Sequence, residues 1–508
     1  MQEGITNTYR LMHDTPDPDY ARWFDTSGSY RRPVEPGPAV TEGNEAMYLI
    51  RGEETYQQMV EAIHSTFTAS LSDLPFIYLL GWDLNQNSFK MELIPGNKTS
   101  TLEHLLTLAS NLGVQVRVMV WARFLENEQQ NIAATKRDIQ SLKGDVSIIL
   151  DDRTRLGNFG NLARFAHIGS HHQKVLITNG EKGLLAFCGG IDIDATRLEG
   201  DNGRQGWQDV HCRIQGPAAH YLLWIFRQRW HDHPEGKSVK LWGDDPSIDA
   251  KKNQVVGKCH VQVGRTYPQG QTSVTPIPPH FSGYSFAPKG EQTVLQMILK
   301  GIAEAKTFIY MEDQYLLNMK ISNALKEFIQ KESARFLLIV IPNDTPGSDI
   351  DNETWGLVRP HRADFINNLK GAKGGEKVLV FDGPQRYVHS KIYLFDDKMA
   401  IIGSANCNRR SMEHDSEVDV AIYDDPGKEQ PAYHFCHRLR MRLWANHLNL
   451  ANRSPYTNRT DNYDEDYAEV ADPLGAIAHF LKESPGRRVY PYIPDTTVGP
   501  GWANLPEN

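Results

Sequence analysis

Short, unbroken apolar runs recur along the 508-residue chain, each about the length of one strand. In the first half they are FIYLLGWDL (Phe76–Leu84), VQVRVMVW (Val114–Trp121), VSIIL (Val146–Leu150), HHQKVLIT and LLAFCGGIDI. Runs that do not alternate with polar residues belong to strands buried on both faces. Between them stand stretches of helical period, EETYQQMVEAIHSTF and TLEHLLTLASNLG. The same order then returns: QTVLQMILKGIAEA reads as a helix, FIYMEDQYL mirrors FIYLLGWDL, and RFLLIVIP, KVLVFD, VHSKIYLF and MAIIGSAN follow. Helices alternating with such strands predict an α/β fold. The repeat predicts two pseudo-twofold-related halves, each a mostly parallel β-sheet flanked by helices, with the active site at the interface between them.

Residues 1–45, rich in Pro, Gly, Asp and Tyr and without a period, read as an irregular N-terminal arm. Residues 46–250 form the first half, 251–455 the second, and 456–508 a C-terminal extension. The junction falls in DDPSIDAKKNQ or near PIPPHFSG.

Composition narrows the classes. The chain is 40% hydrophobic and 23% charged, ordinary for a globular protein, and its net charge of −9 argues against a general nucleic-acid binder. The five cysteines are scattered, without a CxxC pair, and read as buried thiols. The N-terminus lacks a signal-peptide pattern, and no apolar run is long enough to span a bilayer. The expectation is a soluble protein, cytoplasmic or exported by a leaderless route.

The chemistry lies in two matched strings. The second half carries His389 and Lys391, then Asp396, Gly403, Ser404 and Asn406, then Glu417. The first carries His172 and Lys174, then Gly189, Gly190 and Asp192, then Asp209. With 19 histidines, about one HxK is expected by chance, so the weight rests on the repetition. Residues i and i+2 of a strand share a face, so each half offers an imidazole beside an ammonium. Brought together, two ammoniums suit the non-bridging oxygens of a phosphodiester. One neutral histidine can attack phosphorus while the other, protonated, protonates the leaving alkoxide. A carboxylate behind each ring would fix its tautomer, and the lysines supply positive charge without a metal.

These paired strings resemble the phospholipase D superfamily, with its HxKxxxxD motif and a following GSxN or GGxD. The resemblance is nearest to the catalytic core of the eukaryotic-type enzymes, through GGIDI, WQDVHCRIQGPAA, IFRQRW, IIGSANCNRRSM, DSEVDVAIYD and RMRLWANHL. It implies a covalent phosphohistidine resolved by water or another alcohol, with His172 as nucleophile and His389 as general acid. It implies glycerophospholipid substrates met peripherally at a membrane surface, yielding phosphatidic acid and a free headgroup. Stand-alone bacterial enzymes of this type also suggest a secreted effector. The alternatives are a nuclease of the same fold, a phospholipid synthase, and an inactive lipid-binding module.

One departure stands out: Asn179 occupies the place of the motif's aspartate, which Asp396 keeps in the second half. Trp207 and Tyr387, with Tyr315, are candidates to line a headgroup or acyl pocket. His171 is expected to face away from His172. HDH at 231–233 is a weak zinc candidate, and the acidic tail NRTDNYDEDYAEVADP a weak calcium candidate. No cofactor is expected to be required. Protein partners are left open.

Overall fold

The computed structural model describes residues 20–25, 40–122, 126–154, 169–200, 205–270, 283–343, 352–383, 385–424, 435–450, 468–482 and 488–492. The first half contributes β1 (Val40–Ile50), β2 (Phe76–Gly81), β3 (Gln115–Trp121), β4 (Val146–Asp151), β5 (Val175–Gly180), β6 (Gly183–Gly189) and β7 (Val210–Gln215). The second contributes β8 (Cys259–Tyr267), the short β9 (Glu291–Gln292), β10 (Phe308–Glu312), β11 (Phe336–Pro342), β12 (Val378–Gly383), β13 (Ile392–Phe395), β14 (Met399–Gly403) and β15 (Glu417–Asp424). The short β16 (Tyr490–Pro491) adds an edge beside β12.

All of these join in one sheet, ordered β16-β12-β11-β10-β13-β14-β15-β8-β1-β7-β6-β5-β2-β3-β4, with β9 set beside β8. Apart from β9 and β16 the order is a palindrome. β1 corresponds to β8, β2 to β10, β5 to β13 and β7 to β15. The pseudo-twofold passes between β1 and β8, which pair antiparallel.

The expected mostly parallel sheets are mixed instead. Among the described strands, parallel pairing is confined to β2-β3-β4 and β10-β11-β12, and the strands between them pair antiparallel. The reason is that an unbroken apolar run reports burial on both faces and not strand direction. In β2, Phe76, Tyr78 and Leu80 pack into one core and Ile77 and Leu79 into the other. The two-residue turn from β5 to β6 closes a hairpin, which only antiparallel strands allow.

A second difference is at the N-terminus. β1 begins at Val40, inside the segment read as irregular, because pairing with β7 and β8 holds a stretch whose Thr, Glu, Gly and Asn hide its strand character. One face of the sheet is covered by helices Pro217–Asp232 and Phe435–Leu448, whose Phe226, Trp230 and Trp444 belong to a core shared by both halves. The opposite face carries helices Arg51–Phe67 and Leu102–Asn111 over the first half, and Thr293–Glu304 and Met319–Ile329 over the second. Among the described residues no helix is long and apolar enough to cross a membrane.

Candidate active site

The two histidine motifs do not lie within strands. They occupy extended segments that lead into β5 and β13, and each is stitched to the opposite half. His172 N donates to Ser416 O (3.0 Å) and Ser416 N to Ser170 O (2.9 Å); His389 N donates to Gln208 O (2.8 Å) and Gln208 N to Tyr387 O (2.8 Å). The residues after Gln208 and Ser416 are Asp209 and Glu417. Each carboxylate is thereby delivered to the histidine of the other half. His389 Nδ1 lies 2.7 Å from Asp209 Oδ2, and His172 Nδ1 lies 3.0 and 3.1 Å from the two Glu417 oxygens.

Glycines make room for this crossing. A Cβ on Gly190 would stand 2.1 Å from Asp209 Oδ1, and one on Gly403 would stand 1.9 Å from the Asp419 carboxyl. The small residues of GGID and GSAN are therefore required by the close approach of β7 and β15. Ser404, in the place of Gly190, donates from Oγ to Glu417 Oε2 and accepts from Val418 N (3.1 Å).

The two lysines are 1–2% exposed. Lys174 Nζ donates to His172 O (2.9 Å), pairs with Asp192 Oδ2 (2.9 Å), and stands 5.7 Å from the Trp82 ring centroid. Lys391 Nζ donates to His389 O and to Gln314 Oε1 (3.1 Å). Trp82 and Gln314 hold equivalent positions after β2 and β10, so the two ammoniums have different surroundings. Asn406, the counterpart of Asp192, is buried, and its Oδ1 accepts no hydrogen bond.

Burial dominates the proton affinities. It drives His172 and His389 well below the usual imidazole value, with Lys174 and Lys391 adding to the effect on His172 and Lys391 and Arg197 on His389. It lowers Lys391 to about 7 against the pull of Asp209 and Asp313. It raises Glu417 to about 7 against the hydrogen bond from Ser404. Both rings rest neutral, with Nδ1 engaged by a carboxylate and Nε2 left for chemistry.

Trp207 and Tyr387 stand against His389: Trp207 centroids lie 5.2 Å from the His389 ring and 4.7 Å from Tyr387, and Tyr315 joins the cluster. His171 turns into a separate buried network, 2.6 Å from Ser416 Oγ and 3.2 Å from Asp151 Oδ2. The HDH cluster does not hold together as a site. His231 pairs with Asp244 at the surface (2.8 Å). His233 comes within ligand reach of Asp151 and Asp152, but Asp151 already accepts from Arg229 and Arg153. The acidic tail proposed for calcium lies outside the described residues up to residue 467.

Asn179 and Asp396 sit at the far ends of β5 and β13 and act on backbone. Asp396 accepts from the N–H groups of Lys306, Thr307 and Phe308 (2.7–2.8 Å) at the start of β10. Asn179 Nδ2 donates to the carbonyls of Asp73 (2.8 Å) and Leu74 (3.1 Å) just ahead of β2. The partners that sequence reasoning missed are Trp82, Gln314 and Arg197. Trp82 and Gln314 do fall within the mirrored FIYLLGWDL and FIYMEDQYL, so their equivalent places were a usable signal.

Known proteins of similar sequence and fold are the following. The family profile described as "Phospholipase D" matches residues 71–202 and 195–340, and "Cardiolipin synthase, PLD-like domain" matches 298–439. Phospholipase D alpha 1 of Nicotiana tabacum is 24% identical, across 76% of this chain and 63% of its own. Phospholipase D gamma 1 of Arabidopsis thaliana is 23% identical, across 73% of this chain and 60% of its own. The chain thus spans less than two-thirds of the length of these relatives. The solved structure of phosphatidylserine synthase from Haemophilus influenzae Rd KW20 covers 75% of this chain and 83% of its own, at 14% identity and a TM-score of 0.49.

Proposed function

The chain belongs to the phospholipase D superfamily, and from that membership and the crossed site we propose that it cleaves the distal phosphodiester of glycerophospholipids. The products are phosphatidic acid and the free headgroup alcohol. The single observation that carries this reading is the pair of imidazoles, each bonded through Nδ1 to a carboxylate of the other half, beside two buried lysines.

In this reading the phosphodiester anion lies between Lys174 and Lys391, where the two ammoniums meet the charge on its non-bridging oxygens. Its negative charge raises the proton affinity of the nearby imidazoles, offsetting the burial that keeps them neutral. His172 Nε2 attacks phosphorus and the bond to the headgroup oxygen breaks. His389, protonated, gives its Nε2 proton to that oxygen, while Asp209 stabilises the imidazolium and holds its orientation. Water then attacks phosphorus, His389 takes its proton back, and the bond to His172 breaks. An alcohol in place of water gives transfer by the same steps, which is the synthase-like variant of the reaction. The lysines and histidines carry the chemistry without a metal step.

The experiment is incubation of purified protein with mixed-headgroup vesicles and, separately, with single-stranded DNA. Headgroup release that disappears in His172→Ala and His389→Ala is the expected result. DNA cleavage without headgroup release would make the chain a nuclease, and inactivity on both would leave a lipid-binding module. Added ethanol, trapped as phosphatidylethanol, reports the transfer reaction.

A further inference from the structure

Arg197 has no task in the chemistry above, yet it lies against the residues that perform it. It ends a short turn, Ala195–Arg197, that is capped by Asp194, two residues beyond GGID. Its side chain is 5% exposed. The guanidinium carbon stands 4.2 Å from the Trp207 ring centroid, and Nε is 3.9 Å from Asp209 Oδ2, beyond hydrogen-bond reach. That oxygen is already bonded to His389, and Asp209 Oδ1 accepts from Val210 N (2.9 Å). Both Nε and Nη1 of Arg197 are buried and donate to no acceptor.

A guanidinium keeps its charge in any surroundings, so unmet donors on a buried one are costly. An incoming acceptor would meet them. The place is defined by its neighbours: Trp207 against His389, Tyr387 against Trp207, and Tyr315 closing the cluster. His389 serves the leaving oxygen in the proposed reaction, so this is the flank on which the headgroup lies. The scissile phosphate belongs instead to the two lysines.

We propose that Arg197, Trp207 and Tyr387 form the headgroup pocket, and that Arg197 selects headgroups bearing a carboxylate over quaternary ammonium headgroups. The geometry argues in both directions. A quaternary ammonium is recognised by lying over an aromatic face, and the Arg197 cation already lies over that of Trp207. A second cation at the same ring meets repulsion. A carboxylate is the acceptor that a guanidinium's planar donors suit, and Nε and Nη1 are not otherwise engaged. This inference rests on the phospholipase reading for its biological substrate, but the pocket can be probed without turnover.

The test uses the full chain carrying His172→Ala, titrated calorimetrically with O-phosphoserine, phosphocholine and inorganic phosphate, with and without Arg197→Gln. O-phosphoserine is expected to bind about tenfold tighter than phosphocholine, and Arg197→Gln to abolish that preference while leaving inorganic phosphate unchanged. Equal binding of the two phosphomonoesters, or tighter phosphocholine, overturns the proposal. So does a uniform weakening of all three ligands, which would make Arg197 a phosphate ligand or a prop for Asp209. If Arg197→Gln does not fold, Arg197→Lys decides: a reduced preference supports the proposal and an unchanged one overturns it. Separately, the wild type is given phosphatidylserine and phosphatidylcholine vesicles. Cleavage of neither sinks the phospholipase reading while the titrations still judge the pocket; preferential choline release counts against the pocket alone.

Discussion

His389 Nδ1 stands 2.7 Å from Asp209 Oδ2, a carboxylate 180 positions upstream and carried by the other half of the chain. Its pseudo-twofold partner joins His172 to Glu417 across 245 positions. Within the chain, each histidine–carboxylate pair is therefore formed between the halves. In the proposed reaction the two pairs have different roles, and the difference can be measured.

A general acid matters only for a poor leaving group. With a phospholipid headgroup alkoxide, His389→Ala and Asp209→Asn are each expected to lower kcat by about 10²–10⁴-fold. With a 4-nitrophenyl phosphodiester, whose leaving group departs without a proton, those losses should shrink to about tenfold or less. His172→Ala and Glu417→Gln should be severe with both substrates, because they strike the nucleophile. Equal leaving-group dependence for all four variants would refute the assignment of roles.

The pH dependence should follow Lys391. Burial lowers its ammonium to about 7, so the charge is present below that pH and lost above it. In the free protein kcat/KM should therefore fall as pH rises through about 7. Bound phosphodiester stabilises the ammonium, so the fall in kcat should come at higher pH. Lys391→Arg keeps its charge throughout. Its kcat/KM should be lower at pH 6 but free of this decline up to pH 9, and a decline like that of the wild type would assign the titration to another group.

Stability should respond to Glu417 in the opposite sense from an ordinary surface carboxylate. Burial raises this carboxyl from 4.5 to about 7, so the folded chain holds a proton that the unfolded chain releases in that window. Its contribution is therefore fully present below 4.5 and is lost as pH rises through about 7. The loss is on the order of 3 kcal/mol by pH 8. Glu417→Gln should thus gain stability at pH 8 relative to wild type and little at pH 4.5, while losing activity. Urea denaturation at the two pH values checks this, and an equal shift at both would contradict it.

Asn179 should prove structural. Its amide faces two carbonyls, so Asn179→Asp places a carboxylate against acceptors and should cost about 1–3 kcal/mol. Turnover per folded molecule should stay within about twofold of wild type, since the side chain acts only on backbone ahead of β2. Urea denaturation beside a turnover assay separates the two effects. Lost turnover at unchanged stability would move this residue into the site.

The sequence by itself determined the apolar strands, their repeated order, and the two histidines and two lysines, because these are local patterns repeated once in the chain. Burial on both sheet faces leaves unbroken runs such as FIYLLGWDL, and duplication leaves the same spacing in each half. It could not determine strand direction, since burial is the same for parallel and antiparallel neighbours, nor the start of β1, whose polar residues become a strand only between β7 and β8. Above all it did not decide which carboxylate stands behind which ring. Asp209 and Glu417 follow their own half's motif in sequence. The backbone bonds from His389 to Gln208 and from His172 to Ser416 form only when the halves meet, and they exchange the carboxylates. Arg197 became legible for the same reason: its neighbours Trp207, Asp209 and, through them, His389 come from both halves, and only packing brings them together.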